Sequence, residues 1–245
     1  MFIADGFRGF CLSNDEKLVR STSITSTVTN TIIPKLKYMS GINSSYSAGY
    51  CNWFLTTDAY SGEYIWLPPS IKMNGIYIYT DAYYNNWDAP AGMNRGKVTN
   101  AIDCAFSPNA SESEKIYLQS WNYAVNYPLD GIVTEGQKTF QLKATAFDRV
   151  NVRRLFLYLE KEVSRIARRF LYEGNNEYQR MRFVESITPI FERAKNRNGI
   201  LEYYIKCDEE NNTAQVIDNN EMRCSIAVKP VKAIEFILLN FVCTN

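Results

Sequence analysis

A chain of 245 residues, 46% of them hydrophobic and 22% charged, has the composition of a folded protein of one or two domains, long enough to bury roughly 70–75% of the surface its unfolded form exposes. The 27 Lys plus Arg nearly balance the 26 Asp plus Glu, for a net charge of +1, which excludes any global attraction to nucleic acid or to an anionic membrane. Histidine is absent, and with it go the commonest general base, the usual catalytic triad and the His-containing zinc sites.

Charge is nevertheless unevenly distributed. Residues 151–200 carry a net +5, residues 201–245 a net −3 and residues 1–150 a net −1. A basic helical stretch beside an acidic strand stretch suits contact between neighbouring copies; it equally describes the solvated faces of one domain. Six cysteines, Cys11, Cys51, Cys104, Cys207, Cys224 and Cys243, contain no Cys-x-x-Cys pair, and partly buried reduced thiols are expected. The first residues lack a charged leader followed by a long apolar run, and no stretch approaches 18 apolar residues, so synthesis and retention on the cytoplasmic side are expected.

In chain order, residues 1–14 open with a short apolar run that predicts a strand, and Ser21–Asn30 is a Ser/Thr-rich loop or poor helix. Residues 46–87 hold 12 of the 34 aromatics, including Trp53, Trp66 and Trp87. They predict loops and short strands with a local aromatic cluster, either packed internally or displayed as a platform on which sugar rings stack. A turn over Asp88–Gly96 leads to a short helix around Val98–Phe106, a second helix starts at Ser111-Glu-Ser-Glu, and Leu129–Glu135 reads as a strand.

The last hundred residues are more legible. Val152, Leu155, Phe156, Leu159, Val163, Ile166, Ala167 and Phe170 recur at three- and four-residue steps, predicting an amphipathic helix from about Asn151, its N-cap, to Tyr172. Arg153, Arg154, Lys161, Arg165, Arg168 and Arg169 fall on its other sides, and Gly174, Asn175 and Asn176 stop it. A second helix begins near Glu177 with Met181, Val184, Ile187, Phe191 and Ala194 on one side, kinks or breaks at Pro189 and ends at Gly199. Alternation then predicts strands over Leu201–Cys207 and Met222–Val228 and a nearly all-apolar strand over Ile234–Cys243, with Asp208–Asn220 as an extended loop. Two helices followed by strands, after a strand-bearing first half, give a mixed α/β fold with helices packed on a mixed β-sheet. The parts are an N-terminal segment 1–45, an aromatic-rich α/β part 46–145 and a C-terminal domain 146–245.

Motifs for chemistry are sparse. Phosphate-binding glycine loops and the Gly-x-Ser-x-Gly elbow are missing. Glu173 with Glu177, or Asp208 with Glu209 and Glu210, are the candidate hydrolytic carboxylates, and Asp208–Thr213 is the candidate calcium loop; solvated acids and an Asn-capped turn account for both more simply. No enzymatic activity and no cofactor are expected.

Several segments resemble one family. Phe147–Glu160 (FDRVNVRRLFLYLE), Gly199–Asp208 (GILEYYIKCD), Asn211–Thr213 (NNT), Val216–Glu221 (VIDNNE) and Lys229–Phe241 (KPVKAIEFILLNF) resemble, in order and spacing, the C-terminal region of contractile tail sheath proteins of T4-like myoviruses. Trp87–Gly96 (WDAPAGMNRG) is similar to the family's segment upstream of it, and together the matches cover about Pro68 to the end. The resemblance implies a structural subunit that stacks as hexameric rings into a helical sheath around the tail tube and contracts during genome delivery. Its implied partners are other copies of itself, the tube protein, and baseplate and tail terminator proteins, with neither nucleic acid nor membrane. Its implied place is the virion, after assembly in the host cytoplasm.

Family members are usually longer, with an N-terminal arm and a protruding domain ahead of this region, so the chain reads as a fragment or a shortened member. The family links neighbours by exchanged strands, and strong strands at the chain's end suit backbone-mediated strand addition. The residues assigned to it are Met222, Cys224, Ile226, Val228, Ile234, Phe236, Leu238 and Phe241. Ile234–Cys243 is equally readable as a central strand of the chain's own sheet. The basic residues named above are assigned to tube or neighbour contacts. The alternative reading is a carbohydrate-binding or adhesion module built on residues 46–87; a third is a tail-associated hydrolase acting through Glu173 or Glu177.

Overall fold

A computed structural model describes residues 1–6, 29, 32–39 and 41–235. It contains strands β1 (Phe2–Asp5), β2 (Ser47–Tyr50), β3 (Phe54–Thr57), β4 (Tyr64–Leu67), β5 (Asp103–Cys104), β6 (Trp121–Tyr127), β7 (Gly131–Glu135), β8 (Ile200–Lys206) and β9 (Ser225–Pro230). The helices are α1 (Ile33–Met39), α2 (Pro69–Tyr83), α3 (Gly92–Arg95), α4 (Ala110–Leu118), α5 (Val150–Ala167), α6 (Glu177–Asn196) and α7 (Ala214–Asp218). The chain divides into two compact units. One comprises the described residues of 1–80, residues 89–150 and the described residues from Lys232 on, the other residues 81–88 and 151–231.

The first unit holds a four-stranded sheet in the order β1-β2-β6-β7 and an antiparallel three-stranded sheet in the order β4-β3-β5. In the larger sheet β1, β2 and β6 run parallel and β7 returns antiparallel to β6. A strand inside a parallel array has both faces covered, and β2, Ser-Ala-Gly-Tyr, is buried at every residue. Gly49 is required there: a Cβ would lie 2.3 Å from Phe140 and 2.6 Å from Trp121, which pack edge to face above it at 5.0 Å. Two buried asparagines lock the strands. Asn122 donates from Nδ2 to the carbonyls of Gly49 (3.0 Å) and Lys138 (2.9 Å) and accepts from the Lys138 amide. Asn52 donates to the carbonyls of Phe106 and Ala124 and accepts from the Ala124 amide. Each amide thus spends its polar groups on backbone that would otherwise be buried without partners.

The second unit packs α5 and α6 around Trp87, Leu155, Leu159, Phe183, Ile187, Phe191, Ala194 and Ile200. Phe170 meets Phe183 edge to face at 5.3 Å, and Phe191 stacks on Tyr203 at 5.4 Å, so the helical core is continuous with the inner face of the β8–β9 hairpin. Truncating a side chain such as Phe191, 1% exposed, costs about 3–5 kcal/mol.

Several sequence expectations are corrected. The aromatic segment contains a 15-residue helix, α2, entered through Pro69 at its first position, where a missing N–H costs nothing. The helix expected around Val98–Phe106 is instead β5, held by antiparallel pairing of Asp103 and Cys104 with β3. Helix α4 starts one residue before the expected serine, because Asn109 caps it and exchanges hydrogen bonds with Glu112 in a capping box. Helix α5 ends at Ala167, and Asn151 is not its N-cap but a buried residue within its first turn.

Helix α6 passes through Pro189 without interruption. Pro189 is exposed, so the carbonyl it leaves without a donor faces water. The buried side of α6 is Arg180, Phe183, Ile187, Phe191 and Ala194, while Met181 is exposed. The connector after β8 contains a helical turn, α7.

Candidate assembly surface

The hairpin β8–β9 follows from alternation. Tyr203, Ile205, Cys207, Met222, Cys224 and Val228 turn toward the helical core, and Glu202, Tyr204 and Lys229 are exposed. The strands pair antiparallel, with Tyr203 opposite Val228, Ile205 opposite Ile226 and Lys206 opposite Ser225, and a register irregularity between Ile200 and Glu202. Tyr203 also donates its hydroxyl to Glu192 of α6, which pushes its ionisation up to about 12. The sheet has two strands, and among the described residues no third strand pairs with either. Two-stranded sheets are marginal alone; here α5 and α6 support one face, and among the described residues no strand covers the backbone N–H and C=O groups of either outer edge.

The residues assigned to strand addition divide accordingly. Ile226 and Val228 lie in β9, whereas Met222 and Cys224 precede it as half-buried residues against the core. Ile234 is 82% exposed and belongs to no strand; Phe236, Leu238 and Phe241, with the rest of the expected third strand, lie outside the described residues. Glu235 is the acidic residue in the nearly all-apolar segment Ile234–Cys243. In the structure it is the anchored residue, because a carboxylate with three donors within reach is held more firmly than an apolar neighbour without a pocket. Its carboxylate meets Arg149 Nε at 2.5 Å and accepts from the Tyr117 hydroxyl at 2.9 Å and Gln137 Nε2 at 3.2 Å. Lys138 donates to the Tyr117 carbonyl and sits 4.3 Å from its ring. Burial, then the Glu235 charge, pushes the Tyr117 phenol above its usual range.

The six basic residues of the α5 region also split. Lys161, Arg165, Arg168 and Arg169 are exposed, and Arg165 pairs with Glu162 one turn earlier. Arg153 and Arg154, expected on a solvated side, are 6% and 7% exposed. All residues from Val150 to Leu155 are buried, so the start of α5 has no solvated side, and Arg154 is charge-paired with Asp81. A buried guanidinium is tolerated when a carboxylate meets it; no periodicity in the local sequence points to a partner some seventy residues away.

The three tryptophans of the aromatic segment are structural. Trp53 donates to the Gly6 carbonyl at 2.8 Å, Trp53 and Trp66 pack against a core containing Trp121 and Phe140, and Trp87 is 6% exposed. A sugar platform needs open ring faces; these rings are spent on packing. In the connector, Asn212 is buried, donates to the carbonyls of Asp208 and Arg223, and accepts from the Arg223 amide, while Asn211 bonds the Lys206 carbonyl. This is the Asn-capped turn. Glu173 and Glu177 are exposed at a helix junction.

The model of the phage tail sheath C-terminal domain matches residues 143–244. The tail sheath protein of Vibrio phage KVP40 is 36% identical over 204 residues, covering 83% of this chain, and that of Enterobacteria phage T4 is 34% identical over 203 residues, again 83%. The chain spans 30% and 31% of those relatives' own lengths. The cryo-EM structure of an extracellular contractile injection system, PVC sheath complex in contracted state, superposes with a TM-score of 0.78 over 98% of this chain and 62% of that one. At 21% identity that likeness establishes the shared mixed α/β fold. Nothing among these relatives supports a carbohydrate-binding module. The order of the matching segments, the sheath domain model over residues 143–244 and the identity over 83% of its length show that this chain carries the match to the phage tail sheath C-terminal domain and is similar to one part of the tail sheath proteins.

Proposed function

We propose that this chain is a structural subunit region of a bacteriophage contractile tail sheath. It polymerises with copies of itself in stacked hexameric rings around the tail tube and contracts as the genome is delivered, in a virion assembled in the host cytoplasm. Tube, baseplate and tail terminator proteins are its other partners. The observation that carries this reading is the β8–β9 hairpin: a two-stranded sheet with a well-packed inner face and, among the described residues, no strand on either outer edge. Completed by a strand from a neighbouring copy, it links subunits through main-chain hydrogen bonds, each contributing about 0.5–1.5 kcal/mol net but several per junction. Rigid-body rotation of the linked subunits then changes sheath length without unfolding them. Ile226 and Val228 belong to this junction, together with the segment beginning at Ile234 and containing Phe236, Leu238 and Phe241.

Lys161, Arg165, Arg168 and Arg169 serve tube or neighbour contacts, where exposed charge sets register and association rate more than affinity. Arg153 and Arg154 support the subunit from within. The test is electron microscopy of the purified protein, alone and mixed with tube protein: rings or sleeves are expected. Dispersed particles under both conditions, from a chain that circular dichroism shows to be folded, would contradict the proposal.

A further inference from the structure

We propose that Cys207 and Cys224 are a redox-closable pair, which an oxidised low-molecular-weight thiol such as oxidised glutathione converts into an intramolecular disulfide stapling the end of the β8–β9 hairpin. The pair lies within one subunit, so the chemistry holds whether or not the chain assembles.

Register places them. The ladder ends with Lys206 opposite Ser225, and the next pair along is Cys207 and Cys224. Directly opposed residues in antiparallel strands have Cα atoms about 4.5 or about 5.5 Å apart, according to whether the pair is hydrogen-bonded. Both separations fall inside the roughly 4.4–6.8 Å that a disulfide spans. Alternation puts the two thiols on the same face as Tyr203, Ile205 and Val228, against the helical core. Cys207 Sγ donates toward the Arg223 carbonyl at 3.6 Å, beside the amide of Cys224, and each thiol lies near enough to the other to perturb its ionisation.

Closure needs little rearrangement. Asn212 already ties the flanking residues, through its 2.9 Å bonds to the Asp208 and Arg223 carbonyls. A bond between Cys207 and Cys224 would close a loop over this pre-folded turn and α7, removing conformations chiefly from the unfolded chain.

The two thiols have different surroundings. Burial raises both, Cys224 to about 12. At Cys207 the Cys224 thiol and the Arg180 guanidinium oppose that rise, and Arg180 is itself 5% exposed and held by Asn175. Cys207 is therefore the attacking sulfur. Its thiolate displaces one glutathione thiolate from oxidised glutathione, giving a mixed disulfide on Cys207. The Cys224 thiolate then attacks Cys207 Sγ and releases the second glutathione. Two protein thiols lose two electrons and two protons, and one glutathione disulfide becomes two glutathione thiols. High thiol pKa values keep the reaction slow at neutral pH and the pair reduced where glutathione is reduced. Both cysteines are half-buried, unlike Cys51 and Cys104, which are fully buried.

The test uses the 245-residue chain carrying Cys11→Ser and Cys243→Ser, incubated with oxidised glutathione in mildly alkaline buffer, then alkylated and mapped by mass spectrometry. A linked Cys207–Cys224 peptide is expected, with loss of alkylation at both positions and a raised melting midpoint that dithiothreitol reverses. Adding Cys224→Ser should leave one glutathione on Cys207, formed faster than the adduct on Cys224 in the Cys207→Ser counterpart. The proposal is overturned if both thiols still alkylate fully in the folded parent, or if each ends as a separate glutathione adduct; the parent alone decides this should either single variant fail to fold.

Discussion

Replacing Glu235 by Ala tests how the segment after β9 is fixed. The carboxylate is 16% exposed and serves Arg149, Tyr117 and Gln137 at once. Hydrogen bonds to charged groups contribute about 1.5–3 kcal/mol each, so the Arg149 and Tyr117 bonds alone would set a loss of about 3–6 kcal/mol. The Arg149 side chain is 29% exposed and regains water once its partner is gone, which halves its share. Gln137, 4% exposed, has no such recourse and keeps the penalty of a buried donor. The net expectation is a loss of about 2–4 kcal/mol in urea denaturation. A double-mutant cycle with Arg149→Ala should give a coupling of about 1–2 kcal/mol, and amide exchange should accelerate around Tyr117 and Gln137. A change below about 0.5 kcal/mol, the size of an ordinary surface substitution, would refute the anchoring.

Gly199→Ala would place a Cβ 2.8 Å from the Trp87 indole, so a loss of about 1–3 kcal/mol and a shifted tryptophan emission are expected, read by fluorescence-monitored denaturation. Asn122→Ala strips three hydrogen bonds from buried backbone and should cost about 2–4 kcal/mol in the same assay. Tyr117 titrates above its ordinary value of 10.0 when folded. It binds its proton more tightly folded than unfolded, so its contribution is full below about pH 10 and lost as pH rises beyond that; stability measured against pH should fall on the alkaline side, less steeply in Tyr117→Phe. Reversing the charge of Arg165 and Arg169, both exposed, should alter sheath assembly seen by microscopy while leaving the melting midpoint of the unassembled chain unchanged.

The legible parts were those governed by local periodicity. The stripe through Leu155 and Leu159, the turn from Ile187 to Ala194, and the alternation of β8 are short-range patterns, and the structure buries the residues they select. What escaped depends on distant partners. β5 is a strand because β3 lies beside it. Arg154 is buried because Asp81 meets it, and Glu235 is anchored by residues about a hundred positions earlier. Helix α2 had a local signal, Pro69 at its first position with Met73, Ile76, Tyr77 and Thr80 on one side, but its tyrosines and isoleucines favour strands and masked it. Alternation placed Ile226 and Val228 in a strand, where the structure has them, whereas no pattern along the chain tells which molecule completes an edge.

That question has a direct measurement: a cryo-EM reconstruction, at side-chain resolution, of the polymerised sheath protein containing this sequence. Main-chain density from a neighbouring subunit is expected, extended and hydrogen-bonded along an outer edge of the β8–β9 sheet. A sheet whose two edges are both closed by segments of its own subunit would contradict this expectation.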